Sequence, residues 1–379
     1  MSVWSSYEGV GAAERIAAQL GSGEIAHAWF LTGPRGAGKR GIAFAMAATL
    51  VCERGPGTGC GECSGCARAL RDRHPDVHHV EPEGAIIPVD VIREAVIPEA
   101  ARSPFEASYK VFLIEDADKM NEPAQNALLK TLEEPQPDTV FVLVSDHDEE
   151  VLDTIRSRCR VIRLDPVPLD RIASLLVRSG AAPEDAQRAA SEAEGDLDRA
   201  RAIAFDAGTR ERLAAWRAIP GRLQTPLDAL DAAAEILAAA KTASKAREKE
   251  QKGEVTDLAD AMGEGRGTSV ARNALQKRHR RELRRVEDDV LTEALGTLSS
   301  FYLDVLALRT GARGKPDSIL EEWAASGIPD AALVAAAERC VEAAGTFTRN
   351  ANASLAIEAT LVELSAVAPP GLSTSSPTY

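Results

Sequence analysis

Short apolar runs alternate with helical patterns over the first 165 residues of the chain. The predicted strands are 28–32, 76–80, 111–115, 140–145 and 160–164. The first, third and fourth of them are almost continuously apolar, which is typical of parallel strands buried on both faces. Helical patterns at 39–52, 89–101, 121–133 and 149–156 separate the strands. This alternation predicts an α/β domain, 1–165, built on a parallel sheet.

From residue 168 onward the pattern favours helices alone. The segment "PEDAQRAASEAEGDLDRARAIA" repeats its apolar positions with a helical period and predicts a small helical unit over 166–207. A longer helical region is expected over 208–367, with a polar stretch at about 241–285 that indicates a solvated linker or an exposed helical arm. The tail 368–379 is rich in Pro and Ser and is predicted to be disordered. The fold class is therefore α/β plus all-α.

Composition and charge narrow the function. Apolar residues make up 45% of the chain and charged residues 27%, as in ordinary globular proteins. The formal net charge is -14, which disfavours tight binding of nucleic acid by this chain alone, because neutralisation of phosphates supplies most of that affinity. The sequence has no run of about 18 uncharged apolar residues and no signal-peptide pattern at its N-terminus. We therefore expect a cytoplasmic protein with no membrane partner.

The stretch "GPRGAGKR", which begins at residue 33, has the spacing of a phosphate-binding loop except at its last position. Gly33, Gly36 and Gly38 allow backbone N–H groups to curl around a phosphate, and Lys39 would reach the phosphate oxygens. A predicted strand precedes the loop and a predicted helix follows it, as the motif requires. A glycine-rich turn without a ligand is the alternative. Arg40 stands where the motif has Ser or Thr, and a guanidinium has no lone pair to offer Mg²⁺.

The acidic motif "VFLIEDADKM" also departs from that of a metal-dependent ATPase. Such a site has Asp and then Glu after its strand, one for the metal and one for the attacking water, whereas here Glu115 precedes Asp116. Exchanging the two moves each carboxylate by about 1 Å, enough to cost about 10²-fold in rate. Together with Arg40 this makes two departures in one site. We predict that ATP hydrolysis is absent or very weak, and ATP binding is doubtful.

Four cysteines lie close together in "CERGPGTGCGECSGC". The set is Cys52, Cys60, Cys63 and Cys66. Four thiolates at this spacing in a cytosolic protein favour a tetrahedral structural Zn²⁺ site, here a zinc module over 52–66. An iron–sulfur cluster and free thiols are the alternatives. Because four sulfurs satisfy zinc, the nearby histidines 74, 78 and 79 are given no metal role.

Five motifs, taken in order, resemble those of the AAA+ clamp-loader subunits of bacterial DNA polymerase III. They are "HAWFLTGPRGAGK", the four-cysteine insert, "SPFEASYKVFLIEDADKM", "NALLKTLEEP" and "TIRSRC". The resemblance implies a RecA-like sheet domain with a zinc insert, a small helical lid and a C-terminal helical collar. Within that family, motor subunits keep both ATPase motifs intact. The delta-prime type carries degraded copies, as this chain does at Arg40 and at Glu115 and Asp116.

The resemblance therefore favours a non-catalytic stator of the delta-prime type, which helps to load the sliding clamp onto primed DNA. The implied partners are the delta and gamma/tau subunits, with the clamp and the DNA contacted through the assembly. The alternative within the family is an active motor ATPase of the gamma/tau type with variant motifs. A different AAA+ enzyme, such as a helicase loader or a branch-migration motor, would leave the cysteine cluster unexplained.

Arg158 in "TIRSRC" is the residue to which the resemblance assigns a catalytic role. It implies an arginine finger that projects in trans into the ATP site of a neighbouring subunit. A surface arginine in an ion pair is the alternative. The resemblance also implies that "NALLKTLEEP" forms a helix lining the central chamber, and that Asp198 stands where active members have a sensor arginine.

Overall fold

The computed structural model describes most of the chain, which divides into two compact units, 1–207 and 208–379. The described residues are 2–82, 86–193, 195–262, 266–312, 318–347 and 352–367, and at 250, 252–262, 266–278 and 281 the backbone alone is described. The tail 368–379, predicted to be disordered, lies outside the described residues.

The first unit is built on one sheet of five strands in the order β2-β3-β4-β1-β5. The strands are β1 (Ala28–Thr32), β2 (Val77–Val80), β3 (Lys110–Ile114), β4 (Thr139–Ser145) and β5 (Arg160–Arg163). Every neighbouring pair is parallel, which confirms the predicted α/β class. β1, β3 and β4 are buried along their whole length, and they are the three strands with almost continuous apolar runs.

Helices connect these strands and then continue beyond the sheet. They are α1 (Gly11–Gly21), α2 (Lys39–Leu50), α3 (Ser64–Leu70), α4 (Val89–Val91), α5 (Ile97–Ala100), α6 (Glu122–Glu133), α7 (Asp153–Arg156), α8 (Leu169–Arg178), α9 (Pro183–Glu192) and α10 (Leu197–Phe205), with a π-helical turn, Ile92–Val96, between α4 and α5. In the core, Phe112 of β3 and Phe141 of β4 stack 5.0 Å apart. Leu128 and Leu132 of α6 belong to the same fully buried cluster.

In place of the predicted helix 149–156, the structure has a short 3₁₀ turn, Asp148–Glu150, and α7, with residues 151–152 non-helical between them. The cause is the side chain of Gln125 on α6, which donates to the carbonyl oxygen of Glu150 at 3.1 Å and accepts from the backbone N–H of Leu152 at 2.8 Å. These bonds replace the helical ones that the local pattern favours. A buried amide therefore shapes the segment that leads to Arg158.

The described residues of the second unit form helices and no strands. The helices are α11 (Ala207–Arg217), α12 (Ile219–Arg222), α13 (Pro226–Met262), α14 (Arg266–Arg309), α15 (Ser318–Ala325), α16 (Asp330–Phe347) and α17 (Ala353–Ser365). Phe301, Tyr302 and Trp323 pack edge to face in its core. Among the described residues, the polar stretch at about 241–285 lies in the C-terminal part of α13 and the N-terminal part of α14. Arg247 of α13 and Glu282 of α14 form an ion pair at 2.7 Å.

One helical segment of α14, Glu282–Arg309, is long and apolar enough to cross a membrane by length and composition alone. Of its most apolar stretch of 18 residues, 56% is buried inside the protein. Phe301 and Tyr302 are among its buried residues. That burial is what a helix in the core of a helical domain requires.

Candidate functional site

The loop predicted to bind phosphate, residues 33–39, joins β1 to α2; the name phosphate-binding loop is kept for it below as that prediction. Gly33, Gly36 and Gly38 have φ angles of 143°, 82° and 78°, in the region that residues other than glycine rarely adopt. A side chain at Gly33 is also excluded sterically, because a Cβ atom there would lie 2.1 Å from the carbonyl oxygen of Leu164. α2 begins at Lys39, directly after the loop, so the unpaired N–H groups of its first turn lie beside the loop. The residues predicted to cradle a phosphate thus form a tight turn between strand and helix.

The Lys39 ammonium is bound within the protein itself. It donates to the carbonyl oxygens of Gly33 at 2.7 Å and Pro34 at 2.6 Å. It also pairs at 2.7 Å with Asp146, which follows β4, and its side chain is only 5% exposed. An ammonium has three N–H donors, so these partners account for all of them. A phosphate on this loop would have to displace at least one.

Arg40 and Glu115, which belong to the two departures from an ATPase site, are in contact. Arg40 Nη1 lies 3.5 Å from Glu115 Oε1, and the Glu115 side chain is 11% exposed. The other carboxylate oxygen, Glu115 Oε2, lies 2.9 Å from His79 Nε2. His79 Nδ1 lies 3.2 Å from a carboxylate oxygen of Asp72. Cations and anions therefore alternate along Arg40, Glu115, His79 and Asp72, which we call the charge row.

The charge row keeps His79 protonated. Burial lowers the pKa of His79, but the hydrogen bonds and charges of Asp72 and Glu115 outweigh burial and raise the pKa to about 9. Both ring nitrogens then donate to carboxylates, so neither has a lone pair for a metal ion. An oxygen of Glu81 lies within 4.8 Å of the donor atoms of His79 and Glu115. The positive charges of Arg40 and His79 nevertheless disfavour a cation at that point.

Asp116 directs its carboxylate to a different partner. Its backbone is left-handed, with a φ of 52°, a conformation that Asp tolerates better than most residues do. Its carboxylate pairs with Lys119 at 2.7 Å. The two acids predicted for the degenerate metal motif are thus each neutralised by basic side chains of the chain itself, Glu115 in the charge row and Asp116 by Lys119.

The helix α10 places two carboxylates beside the phosphate-binding loop. Asp196 caps α10 by accepting backbone N–H groups of its first turn. It packs against Gly36 so closely that a Cβ there would lie 2.8 Å from Asp196 Cβ. An oxygen of Asp198 would lie 3.5 Å from a Cβ on Gly41, in the first turn of α2. Negative charge at both positions opposes the binding of a phosphate.

The N-terminal segment covers the start of α2. The Tyr7 hydroxyl would lie 2.0 Å from a Cβ placed on Gly41, so the tyrosine ring rests on the first turn of the helix. The guanidinium of Arg201, from α10, lies 5.1 Å above that ring. Burial and the charge of Asp198 raise the pKa of Tyr7 to about 12, so the phenol is neutral at physiological pH. Arg201 also pairs with Asp198 at 3.6 Å.

The four predicted cysteines come together between α2 and α3. Their sulfur atoms all lie within 4.8 Å of one another, and three of the four residues are buried. Sγ atoms are 4.0 Å apart in the pair Cys60 and Cys66 and in the pair Cys52 and Cys63. Tetrahedral Zn²⁺ with Zn–S bonds of about 2.3 Å would separate its sulfurs by about 3.8 Å. The cluster therefore has the donors and the spacing to hold a metal ion.

Backbone N–H groups tune the sulfurs of this cluster. Hydrogen bonds from the N–H groups of Glu62 and Cys63 lower the pKa of Cys60 to about 6. Burial raises the pKa of Cys66 instead. Four thiolates cannot all ionise at this spacing without a compensating cation. A bound metal ion of this kind would supply that compensation.

Arg158 lies two residues beyond α7, at the end of the segment that Gln125 holds. Its Nε donates to Glu133 Oε1 at 2.8 Å, and its Nη2 binds the same carboxylate. Its Nη1 donates to the carbonyl oxygen of Thr154 at 2.8 Å and to Ser157 Oγ at 3.4 Å. The Arg158 side chain is still 33% exposed. The ion pair of the alternative interpretation is thus present, on a guanidinium that remains open to solvent.

Sequence patterns did not identify His79, Asp72 and Asp146 as members of the site. His79 lies on β2 opposite Leu113 of β3, and Glu115 follows two residues later, so the sheet register brings the two side chains together. The signal that could have identified His79 is an ionisable residue on the strand adjacent to the acidic motif.

Comparison with known proteins shows that part of the first unit is similar to subunits of DNA polymerase III. A family model described as DNA polymerase III, delta subunit, matches residues 11–168. The delta' subunit of DNA polymerase III from Pseudomonas aeruginosa is 42% identical over 189 residues, which cover 44% of this chain and 57% of that protein. Residues 11–168 of the chain are thus similar to delta-prime subunits of DNA polymerase III.

The matched residues, 11–168, include the sheet, the loop, the cysteine cluster, the charge row and Arg158. The chain spans about half the length of the curated delta-prime relatives it matches. The gamma/tau subunit of Mycobacterium tuberculosis is 33% identical over 165 residues, 43% of this chain and 28% of that protein. A gamma-subunit-related structure from Thermotoga maritima aligns over 94% of this chain and 99% of its own, at 16% identity and a TM-score of 0.45.

The charge row predicts a stability that depends on pH. The pKa of His79 is raised from about 6.5 in the unfolded chain to about 9 in the folded one. Its contribution is therefore complete below pH 6.5 and is lost as the pH rises through 9. We expect His79→Gln to lower the free energy of unfolding by about 2–3 kcal/mol at pH 7. Urea denaturation of the wild-type and variant chains from pH 6 to 10 measures the difference.

The exposed His147 provides the control, because its side chain is 61% exposed. His147→Gln should leave the free energy of unfolding within about 0.5 kcal/mol of the wild-type value. If the effect of His79→Gln stays constant from pH 6 to 10, the protonated state assigned to His79 is wrong.

Proposed function

We propose that this chain is a non-catalytic stator of the delta-prime type in the clamp loader of DNA polymerase III. In that assembly it would help to load the sliding clamp onto primed DNA. Its direct partners would be the delta and gamma/tau subunits, and it would reach the clamp and the DNA through the assembly. The similarity to delta-prime subunits supports the assembly, and the charge row supports the non-catalytic role.

The observation that carries the proposal is the contact between Arg40 and Glu115. A motor ATPase needs Mg²⁺ to neutralise charge on the phosphates and a group that orients the attacking water. Here Glu115 is neutralised by Arg40 and His79, and Asp116 is neutralised by Lys119. Basic side chains of the protein thus pair with the carboxylates that would otherwise bind a metal ion and orient a catalytic water.

Arg158 would make the chain's contribution to catalysis. A guanidinium stays charged at every physiological pH, and its planar fork matches phosphate oxygens. Against the γ-phosphate in a neighbouring subunit, it would stabilise the charge of the transferring group, a contribution of about 10³–10⁵ in rate at that site. The partial exposure of Arg158 supports this role, because the side chain can be reached from outside the chain.

The cysteine cluster supports a structural Zn²⁺, which we assign to Cys52, Cys60, Cys63 and Cys66. Four protein ligands leave no open position on the ion, so it would take no part in catalysis. Such an ion would neutralise the thiolates and join the end of α2 to α3.

An active motor ATPase is the second candidate. The observations that favour it are the glycine turn with Lys39 and the similarity to gamma/tau subunits. The two candidates differ in whether the chain hydrolyses ATP by itself.

The purified chain, free of partners, should not hydrolyse ATP above the background of the assay. Glu115 and Asp116 are both held by basic side chains, so neither is available to a metal ion or a water. A phosphate-release assay with Mg²⁺ measures the rate, with Lys39→Ala as the control for contaminating ATPases. Hydrolysis that Lys39→Ala abolishes would identify a motor and exclude the stator.

In the assembled clamp loader, Arg158→Ala should lower the ATPase rate and leave assembly intact. At the ATP site that Arg158 serves, the rate should fall about 10³-fold or more. The total rate of the complex should fall by less, because other subunits complete the remaining ATP sites. Size-exclusion chromatography checks assembly, and steady-state hydrolysis with primed DNA checks the rate. Arg156→Ala removes a neighbouring arginine, which pairs with Asp153, and should leave the rate unchanged. An unaltered rate per complex for Arg158→Ala rejects the arginine finger.

The purified chain should contain about one zinc per molecule, by elemental analysis. Cys66→Ser should release the metal and lower the thermal stability. Cys66 is fully buried, and its loss would leave the other three thiolates without a compensating ion. Cys340→Ser, at a buried cysteine in the second unit, should keep the zinc. Iron in place of zinc, with the absorption of an iron–sulfur cluster, would correct the identity of the metal.

A further inference from the structure

We propose that Glu133 is a positioning residue for Arg158 and fixes its guanidinium before a neighbouring ATP site is engaged. The inference rests on the proposed function, since it concerns the same arginine. It adds a residue from the helix α6, whose sequence "NALLKTLEEP" gives no hint of a contact with "TIRSRC".

The contacts fix the guanidinium from two sides. Glu133 Oε1 accepts from both Nε and Nη2, so a single carboxylate oxygen bridges one edge of the planar fork. The carbonyl oxygen of Thr154 accepts from Nη1 at the other side. A guanidinium has five N–H donors, and these contacts leave part of the fork for an external oxygen. The side chain is thereby oriented while it remains 33% exposed.

The carboxylate itself is held in place by α6. Leu128 and Leu132 on that helix are fully buried, and Glu133 is its last residue. Pro135 follows two positions later and cannot continue a helix. Glu133 therefore extends from the end of a packed helix, so the position of its backbone is fixed.

The position of Glu133 is unfavourable for the helix alone. The C-terminal end of a helix carries partial negative charge and favours Lys or Arg over Glu. The charge of Arg158 compensates for this. The contact with Arg158 therefore explains an acidic residue at position 133, whereas the stability of α6 alone would favour a basic one.

Holding the arginine in advance affects the rate at the neighbouring site. A free arginine side chain samples many rotamers, and misplacement by about 1 Å can cost about 10²-fold in rate. Because the pair is exposed, it is weak enough to adjust when a phosphate approaches. Glu133 should thus raise kcat at the neighbouring site without changing how tightly that site binds ATP.

Glu133→Gln in the assembled clamp loader tests the inference. It keeps the size of the side chain and removes its charge. We expect kcat at the served site to fall about tenfold, less than for Arg158→Ala, with KM for ATP unchanged. Glu133→Asp, which keeps the charge on a shorter side chain, should recover part of the rate.

Glu134→Gln is the matched control. Glu134 is the next residue and is exposed, and its side chain has no hydrogen bond or ion pair with Arg158. It should leave kcat unchanged. In a background of Arg158→Ala, Glu133→Gln should have no further effect, since a positioning residue acts only through the residue it positions.

The outcomes separate the two proposals. If Arg158→Ala leaves the rate unchanged, the arginine finger itself is rejected. If Arg158→Ala lowers the rate but Glu133→Gln has no effect, or raises kcat, or acts equally with and without Arg158, Glu133 does not position the arginine. An equal loss for Glu134→Gln would also overturn the inference, because it would reflect the net charge of this surface.

Discussion

The buried carboxylate of Glu115 is the constraint on which the arrangement of this domain depends. A carboxylate at the end of a fully buried strand must be compensated, because an unpaired charge at low solvent exposure is very unfavourable. In a motor ATPase, a metal ion and bound water could fulfil that requirement. Here Arg40 and His79 do so. The two departures seen in the sequence are therefore one arrangement, in which the arginine of the loop neutralises the acid of the strand.

The sequence predicted the strands because β1, β3 and β4 are continuous apolar runs, whose burial needs no knowledge of their neighbours. It also predicted the cysteine cluster, since the four residues are close along the chain. It did not predict the charge row, because His79 and Glu115 are 36 residues apart and meet only through the register of β2 and β3. The interrupted helix near α7 was missed for the same reason, as Gln125 binds it from another helix.

The cysteine cluster and the phosphate-binding loop are joined by the elements between them. α2 begins at the loop and ends next to Cys52, so the cluster fixes the far end of the same helix. The backbone N–H of Val3 donates to the carbonyl oxygen of Gly59 at 2.9 Å, inside the cysteine module. Four residues further on, Tyr7 rests on the first turn of α2. The module thus holds the N-terminal segment over the start of the helix, a structural role that a metal ion bound by the four cysteines would strengthen.

The basic residues of this domain differ in how firmly they are held. Lys39 is 5% exposed and has carbonyl and carboxylate partners for all its donors, so exchanging them for a phosphate would cost several buried interactions. Arg40 is more exposed but faces a buried acid that would lose its neutralising charge. Arg158 pairs with an exposed glutamate at the surface, where an ion pair contributes at most about 1 kcal/mol. A phosphate from outside can therefore compete for Arg158 far more readily than a nucleotide can compete for the loop. This difference in burial supports the proposal that the loop is a scaffold and that Arg158 acts on a neighbouring site.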